Sequence, residues 1–172
     1  MNTSNNQILF SKTLLASLLF LVLFSLNAFG AKTLSEKNIS KMLDEVKIAK
    51  EHKNIKSMQR HFLAQTSVSL TDQNINGSKT TRLDFYEYKR HLSKKWKKVQ
   101  SNLIEVQERK FDIASNGRSA LVKTTQVQTL EVEGIKVQTT IYETTGISLI
   151  KGKIYINYYS SRTMLNTAMQ VN

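Results

Sequence analysis

The chain has 172 residues, enough for one domain with a buried core, and a formal net charge of +12 at pH 7. It contains no Cys, which excludes a disulfide-stapled scaffold and lipid attachment at an N-terminal cysteine. The excess of positive charge favours anionic partners or surfaces without naming one.

The first thirty residues have the pattern of a secretory signal peptide. They carry a single charge, Lys12, followed by the apolar run Leu14–Phe24. The small residues Ala28 and Gly30 then occupy the two positions that a signal peptidase requires. We therefore predict export, with cleavage after Gly30.

Cleavage would leave residues 31–172 as a single mature domain in the periplasm or outside the cell. The alternative is that residues 13–29 stay attached as an inner-membrane anchor facing the periplasm. Their length lies at the short end of the ~17–25 residues that span a bilayer.

Two amphipathic helices are predicted next. Thr33 and Glu36 have the spacing of a capping box, which marks the beginning of a helix. The apolar residues that follow recur every three or four positions and form one stripe: Ile39, Met42, Leu43, Val46 and Ala49. A second, short helix is predicted to begin at Asn54 and to bury Ile55, Met58 and Phe62. The alternating "TSVSLTD" then predicts a strand, and "QNINGSKT" is typical of a turn.

The segment Arg82–Val99 is predicted to be a helix with one apolar and one basic side. Its apolar residues share one arc of the helical wheel: Phe85, Tyr88, Leu92, Trp96 and Val99. Four cations fall on the opposite side: Arg90, Lys94, Lys97 and Lys98. The preceding segment adds further cations to the expected basic surface: Lys47, Lys50, Lys53, Lys56 and Arg60.

This basic side has two interpretations. It is the solvated face of an ordinary core-packed helix, or it binds an anionic membrane surface. We do not expect nucleic acid as a partner, because the sequence has neither a binding motif nor aromatics interleaved with the charges.

After Gln100 the sequence predicts four strands joined by tight turns. The turns are marked by Asn116–Gly117, Glu133–Gly134 and Lys151–Gly152. Strands joined in this way form an antiparallel meander, and the segments between the turns are rich in Thr, Val, Ile and Tyr, as strands are. Helices first and a meander afterwards is an α+β arrangement, with helices packed on a curved antiparallel sheet.

This order of elements resembles the nuclear-transport-factor-two-like superfamily, which includes SnoaL-like proteins and ketosteroid isomerases. The segments "RHFLAQTSVSL" and "NGRSALVKTT" carry the resemblance most directly. It implies a cone-shaped, cystatin-like roll with a cavity between helices and sheet, and such a cavity serves many unrelated functions.

The residues offer few catalytic candidates. The three histidines, His52, His61 and His91, lack metal-ligand spacing, so we expect no metal and no cofactor. The resemblance implies acid–base work by a carboxylate or a tyrosine in the cone. Strand alternation places Glu143 on the same face as Ile135, Val137 and Ile141 and suggests Tyr158 as its neighbour, so these two are the catalytic candidates.

We therefore predict an exported, non-enzymatic domain that binds a small apolar ligand or a partner protein. Two alternatives are kept: an envelope-assembly or type IV secretion-like component anchored by residues 13–29, and a small SnoaL-like isomerase or hydrolase-like enzyme. A homodimer through a polar sheet face is also expected, on the row Thr124, Gln126, Gln128, Gln138 and Thr140.

Overall fold

The computed structural model describes residues 33–74 and 77–170. The helices are α1 (Glu36–Glu51), α2 (Ile55–Gln59) and α3 (Phe85–Trp96). The strands are β1 (Phe62–Asn74), β2 (Gly77–Asp84), β3 (Val99–Ile113), β4 (Ser119–Val132), β5 (Ile135–Ile150) and β6 (Lys153–Gln170). The predicted signal peptide and the alternative anchor lie outside the described residues. Within those residues, no helix combines the length and apolar character that crossing a bilayer requires.

The six strands form one sheet in the order β2-β1-β6-β5-β4-β3. Consecutive strands β3 to β6 pair antiparallel, as the turn signals predict. Strands β1 and β6 pair in parallel. They are far apart in the sequence, and the connection between them runs through β2, α3 and the other strands of the meander. The α+β class and the curved meander sheet are therefore confirmed.

Helix α1 buries the predicted stripe, Ile39, Met42, Leu43, Val46 and Ala49. The predicted capping box on Thr33 and Glu36 is wrong. The cap is Ser35, whose Oγ accepts from the backbone N–H of Asn38 at 3.3 Å. The Asn38 side chain accepts from the N–H of Ser35 at 2.8 Å, so an amide at the third helical position does the work expected of Glu.

Helix α3 packs its apolar stripe on the sheet. Phe85, Tyr88, Leu92 and Trp96 are all buried, and Trp96 is only 9 % exposed. The helix begins later than predicted, because residues 77–84 form edge strand β2, which is exposed along its length and shows no alternation. Asp84 ends that strand and caps α3 by accepting from the N–H of Glu87 at 2.7 Å.

The three predicted turns connect the meander strands. Glu133 and Gly134 have φ of 52° and 77°, and Lys151 and Gly152 have φ of 49° and 76°. Two successive residues with positive φ make the type I′ turns that fit the twist of a hairpin.

Strand β6 contains a bulge that decides which side chains face inward. Ile147 of β5 pairs with Ile156, whereas the next residue back, Gly146, pairs with Tyr158. Asn157 is thus an extra residue on β6, and an extra residue reverses the alternation beyond it.

The bulge turns Tyr159 into the core and Tyr158 outward, where Tyr158 is 39 % exposed. It also explains a glycine. A Cβ on Gly146 would stand 2.6 Å from Asn157 Oδ1 and 3.0 Å from Tyr158 Cβ. Only glycine leaves room for the bulged strand to come this close.

Candidate functional site

A cavity of about 90 Å³ lies between α3 and the inner face of the sheet. Its walls are partly apolar, with Leu92 and Trp96 from α3 facing Ile104, Leu130 and Ile141 from the meander. The exposed lining residues mark its mouth, and these are Asp72, His91 and Lys95. An engineered cavity of roughly 150 Å³ admits benzene, so this one has room for less than a benzene ring.

An ion pair forms the floor of the cavity. Lys50 Nζ of α1 lies 2.8 Å from Glu143 Oε1 of β5, and the two side chains are only 12 % and 11 % exposed. The Tyr159 hydroxyl from β6 donates to the same carboxylate oxygen and accepts from Lys50 Nζ at 3.0 Å. The Lys50 ammonium also lies 4.7 Å from the centroid of the Tyr159 ring.

Three side-chain amides, two from β4 and one from β3, extend this cluster. Gln126 Nε2 donates to Glu143 Oε1 at 3.0 Å, so three donors converge on one oxygen. Gln128 Nε2 donates to Asn102 Oδ1 at 2.7 Å, and Asn102 Nδ2 donates to the Lys50 carbonyl at 2.8 Å. These bonds satisfy buried polar groups and fix their orientation.

The two tyrosines of the site keep their protons. Burial raises the pKa of Tyr159 well above its ordinary value of 10.0, and the adjacent Glu143 carboxylate raises it further. Burial likewise raises the pKa of Tyr88, whose ring centroid lies 5.7 Å from that of Tyr159. Both groups are therefore hydrogen-bond donors at neutral pH rather than anions.

Lys50 stays charged. Burial by itself lowers the pKa of Lys50, but attraction to Glu143 and the hydrogen bond to its carboxylate outweigh burial. The net pKa lies above the ordinary 10.5. A protonated amine is a poor nucleophile, so this arrangement does not favour covalent chemistry through Lys50.

A second, smaller cavity lies on the other side of this cluster. It holds about 20 Å³ and is lined in part by Lys47, Arg109 and Thr124. Arg109 pairs with Asp44 at 2.8 Å, and its Nε is buried without a hydrogen-bond partner among the residues that the structure describes. The space fits a single water molecule, which is what an orphaned N–H requires.

The structure brings only one predicted catalytic candidate to the cavity. Glu143 lies on its floor, as alternation from Ile141 suggested. The expected placement of Tyr158 beside it is wrong, because the bulge puts Tyr159 there instead. The catalytic role assigned to Glu143 stays a prediction.

The polar row expected on the outer face divides between the two faces. Thr124 and Gln126 are buried on the inner face, and Gln128 lines the cavity. Of the five, only Gln138 and Thr140 of β5 point outward, where their cross-strand neighbours on β4 are Thr129 and Val127. An outer-face row of these five residues is therefore wrong.

Arg90 and Lys94 are exposed on α3, opposite its buried stripe, and Lys97 and Lys98 are exposed directly after the helix ends. Three other cations of the predicted basic surface are held against the fold: Lys50 points into the core, Lys47 pairs with Glu51 at 3.1 Å, and Lys53 Nζ donates to the Val99 carbonyl at 2.8 Å. Among residues 33–74 and 77–170, no three His, Cys, Asp or Glu side chains come together in a way that would hold a metal.

Sequence reasoning missed Lys50, Tyr88 and Tyr159 as site residues. A signal for Lys50 was present: it continues the spacing of Ile39, Leu43 and Val46, so it lies on the buried stripe. Tyr88 was recognised as buried but assigned to packing alone, and nothing within strand β6 itself marks the bulge that selects Tyr159.

Comparison with known proteins identifies the fold and nothing finer. No protein-family model matches the sequence. No curated protein matches it either.

Solved structures do match. A nuclear-transport-factor-two-like protein from Cytophaga hutchinsonii aligns with a TM-score of 0.61 at 10 % identity, over 76 % of this chain and 100 % of that one. A cystatin-like-fold protein of unknown function from Nostoc punctiforme gives 0.58 at 8 % identity, over 78 % and 95 %. The hexachlorocyclohexane dehydrochlorinase LinA-type3 from Novosphingobium barchaimii gives 0.58 at 9 % identity, over 77 % and 87 %. The chain thus has the nuclear-transport-factor-two-like fold, which accommodates both enzymes and proteins of other kinds.

Proposed function

We propose that the chain is an exported, non-enzymatic binding domain whose cavity takes the polar head of a small, neutral ligand. The observation that carries this proposal is the Lys50–Glu143 ion pair on the cavity floor. Burying two charges costs several kcal/mol per ion, of the order that their mutual attraction returns, so such a pair is poor evidence of a stabilising device. A pair that lines a cavity has a reason to exist if a ligand uses it.

The hydrogen-bonding inventory of the floor supports a neutral head. Lys50 and Glu143 cancel each other's charge, so a charged ligand would add a buried charge with no partner. All three donors to Glu143 end on Oε1, which leaves Oε2 to accept from a ligand. Lys50 spends two of its three N–H groups on Glu143 and Tyr159, and the third is suited to a ligand acceptor.

An amide or alcohol matches this juxtaposition of donor and acceptor. The polar floor moves the proposal from the small apolar ligand predicted from the sequence toward a ligand with a polar head. At about 90 Å³ the cavity takes only the head of a ligand, since drug-sized molecules occupy roughly 300–1,000 Å³. The remainder of the ligand would extend past Leu92 toward the mouth at His91.

The same geometry makes catalysis the weaker proposal. A general base on Glu143 would have to take up a proton beside an oxygen that already receives three hydrogen bonds. A SnoaL-like isomerase or hydrolase-like enzyme remains the alternative, with Oε2 of Glu143 as base and Tyr159 as acid.

Binding of neutral probes tests this proposal. We would titrate benzamide, benzyl alcohol, toluene and benzoate into the protein labelled with ¹⁵N and follow the Trp96 indole and the Gln126 side-chain amide by NMR. Benzamide and benzyl alcohol should shift both signals, while toluene and benzoate should not at equal concentration. Equal binding of toluene would restore the apolar ligand, and preference for benzoate would overturn the neutral head.

A matched pair of variants locates the site. Thr163→Phe fills the cavity from β6 and should weaken benzamide binding at least about tenfold. Thr144→Phe makes the same change on the outer face, opposite Ser160, and should leave binding unchanged. If both variants bind benzamide like the parent, the ligand does not occupy the cavity.

Export is a separate part of the proposal and rests on the composition of residues 1–30. The full chain expressed in a bacterial host should yield a periplasmic protein whose first residue is Ala31. An intact Met1 in the inner-membrane fraction would favour the anchored, envelope-assembly alternative instead.

We also propose a second copy of this chain as the partner of the outer sheet face. Leu121 and Tyr158 flank Gly146 across three neighbouring strands, and Tyr142 lies on the same face four residues earlier in β5. All three side chains are exposed, and Leu103 of β3, which is 53 % exposed, lies on the same outer face, so this face presents several apolar and aromatic side chains to solvent. Light scattering should give a dimer for the parent and a monomer for Tyr142→Glu/Tyr158→Glu, and a monomeric parent would overturn this assignment.

A further inference from the structure

The charges of the molecule are unevenly distributed. Helices α2 and α3 with the residues that directly follow them, 55–60 and 85–98, hold eight Lys or Arg and one acid. The meander, residues 99–170, holds eight Lys or Arg and six acids. Most of the positive excess of these segments, seven charges against two, therefore lies on α2 and α3 with the residues that directly follow them.

The single acid of the helical set does not neutralise it. Glu87 lies in the first turn of α3, where its carboxylate accepts from the backbone N–H of Asp84 at 3.0 Å. The last two turns of α3 and the residues after them carry Lys94, Lys97 and Lys98 with no acid among them. One or two cations satisfy a helix dipole, so this number exceeds what the C-terminus of α3 requires.

Ion pairing with the rest of the fold offsets little of this charge. The pair found for these cations within the described residues joins Lys98 to Glu133 at 3.7 Å, with side chains 73 % and 72 % exposed. Pairs so exposed are largely screened by water and salt. Lys89 instead donates to Gln59 of α2 at 3.1 Å, which ties the cations of α2 and α3 into one surface.

We infer that this surface, made of Lys56, Arg60, Arg90, Lys94, Lys97 and Lys98, docks the protein on an anionic lipid bilayer. Clusters of four to eight Lys or Arg are the recognised footprint of anionic headgroups. The chain meets a membrane whether residues 1–30 act as a signal peptide or as an anchor.

A nucleic acid fits this surface less well. Tyr86 is the exposed aromatic of α3, at 62 %, and the guanidinium of Arg90 lies 4.9 Å from its ring centroid. That contact covers the face on which a base would stack. The lysine ammonium is a compact charge on a flexible side chain, so it can bind phosphate headgroups that change position in a fluid bilayer.

Vesicle binding tests the inference. The full-length protein, as processed by its expression host, would be mixed with sucrose-loaded vesicles of phosphatidylethanolamine and phosphatidylglycerol at 70:30 and sedimented. Each lysine near an anionic surface contributes about fivefold to partitioning, so Lys94→Glu/Lys97→Glu/Lys98→Glu, which removes three lysines and adds three carboxylates, should reduce it at least about a hundredfold. Raising salt from 0.1 to 0.5 M should also release the parent protein, because the Debye length falls from about 10 Å to about 4 Å.

The control is a triple variant of equal charge on the meander, Lys123→Glu/Lys136→Glu/Lys153→Glu, whose sites are all exposed. It should lose less than about threefold if the helical surface is the docking site. Equal losses in the two triple variants would overturn the inference, because net charge alone would then explain binding. Tighter binding to a 20-nucleotide single strand than to the vesicles would overturn it in favour of a nucleic acid.

Trp96 gives a second readout that does not depend on affinity. Docking through the charged side leaves Trp96 in the core, so its emission should not shift when vesicles are added. A blue shift on binding would mean that α3 leaves the sheet and inserts, which contradicts docking of the folded surface. Far-ultraviolet circular dichroism of each variant would confirm that all are folded.

Discussion

The Lys50–Glu143 pair makes a sharp prediction about stability. Lys50→Met leaves Glu143 buried and unpaired, and Glu143→Gln does the same to Lys50. Because both side chains are about nine-tenths buried, each single change should lower the free energy of unfolding by about 3–5 kcal/mol. In the double variant no charge is stranded, and the amide oxygen introduced by Glu143→Gln replaces the carboxylate as acceptor for Tyr159 and Gln126.

The double variant should therefore lose less stability than either single variant. That inequality sets the coupling energy above the larger single loss, which is at least about 3 kcal/mol. Urea unfolding followed by the fluorescence of Trp96, the only tryptophan, measures it. With a slope of about 2 kcal/mol/M, each single change should move the midpoint by about 1.5 M or more.

The exposed pair Lys98–Glu133 supplies a matched control. Lys98→Met and Glu133→Gln should show no measurable coupling, since both groups are solvated. Additive losses at Lys50 and Glu143, like those of the control, would refute the reasoning, because they would mean that the two charges do not depend on each other.

Two further predictions concern pH and packing. Three buried groups of the cluster have raised pKa values. Above about pH 10 the unfolded chain therefore releases protons that the folded protein retains. The free energy of unfolding then falls as pH rises, by up to about 1.4 kcal/mol per pH unit for each group. Tyr159→Phe removes one of these groups, and urea midpoints at pH 9, 10 and 11 should fall less steeply than in the parent; an unchanged slope would contradict the assignment. Gly146→Ala should cost about 1–3 kcal/mol, because its Cβ would lie 2.6 Å from Asn157 Oδ1. Asn157→Ala should restore part of that loss, and a harmless Gly146→Ala would show that the bulge has room to adjust.

The sequence predicted well the features that follow from a regular hydrophobic period or from a turn motif. The stripes of α1 and α3 are buried as the 3.6-residue period indicates. The turns at Glu133–Gly134 and Lys151–Gly152 adopt the positive φ that their glycines favour. Periodicity did less well where a strand lacks a buried face, and β2 was read as turn and helix because it is an exposed edge with no alternation.

The site was harder to predict because its members break the rules that locate a core. Lys50 occupies a core position of α1 by spacing, yet its residue type assigned it to the surface. Its burial depends on Glu143, ninety-three residues later, and no local pattern contains that contact. Taken separately, Lys50 on the apolar stripe of α1 and Glu143 on the apolar row of β5 are each an exception to the pattern of buried residues. Only the fold shows that the two exceptions satisfy each other.

The exchange of Tyr158 for Tyr159 has a different origin. Two adjacent tyrosines are both suited to a strand, and alternation counted from Ile156 selects the wrong one. The extra residue Asn157 shifts the in–out alternation by one position, so that Tyr159 rather than Tyr158 faces inward. Gly146 on the neighbouring strand makes room for it. Glycine within a strand marks a bulge or a close backbone approach, so Gly146 held the information, but on the neighbouring strand rather than on the one it corrects. Which hydroxyl reaches Glu143 is therefore decided by a pairing between β5 and β6, and the chemistry of this cavity follows from the sheet's register as much as from any residue that lines it.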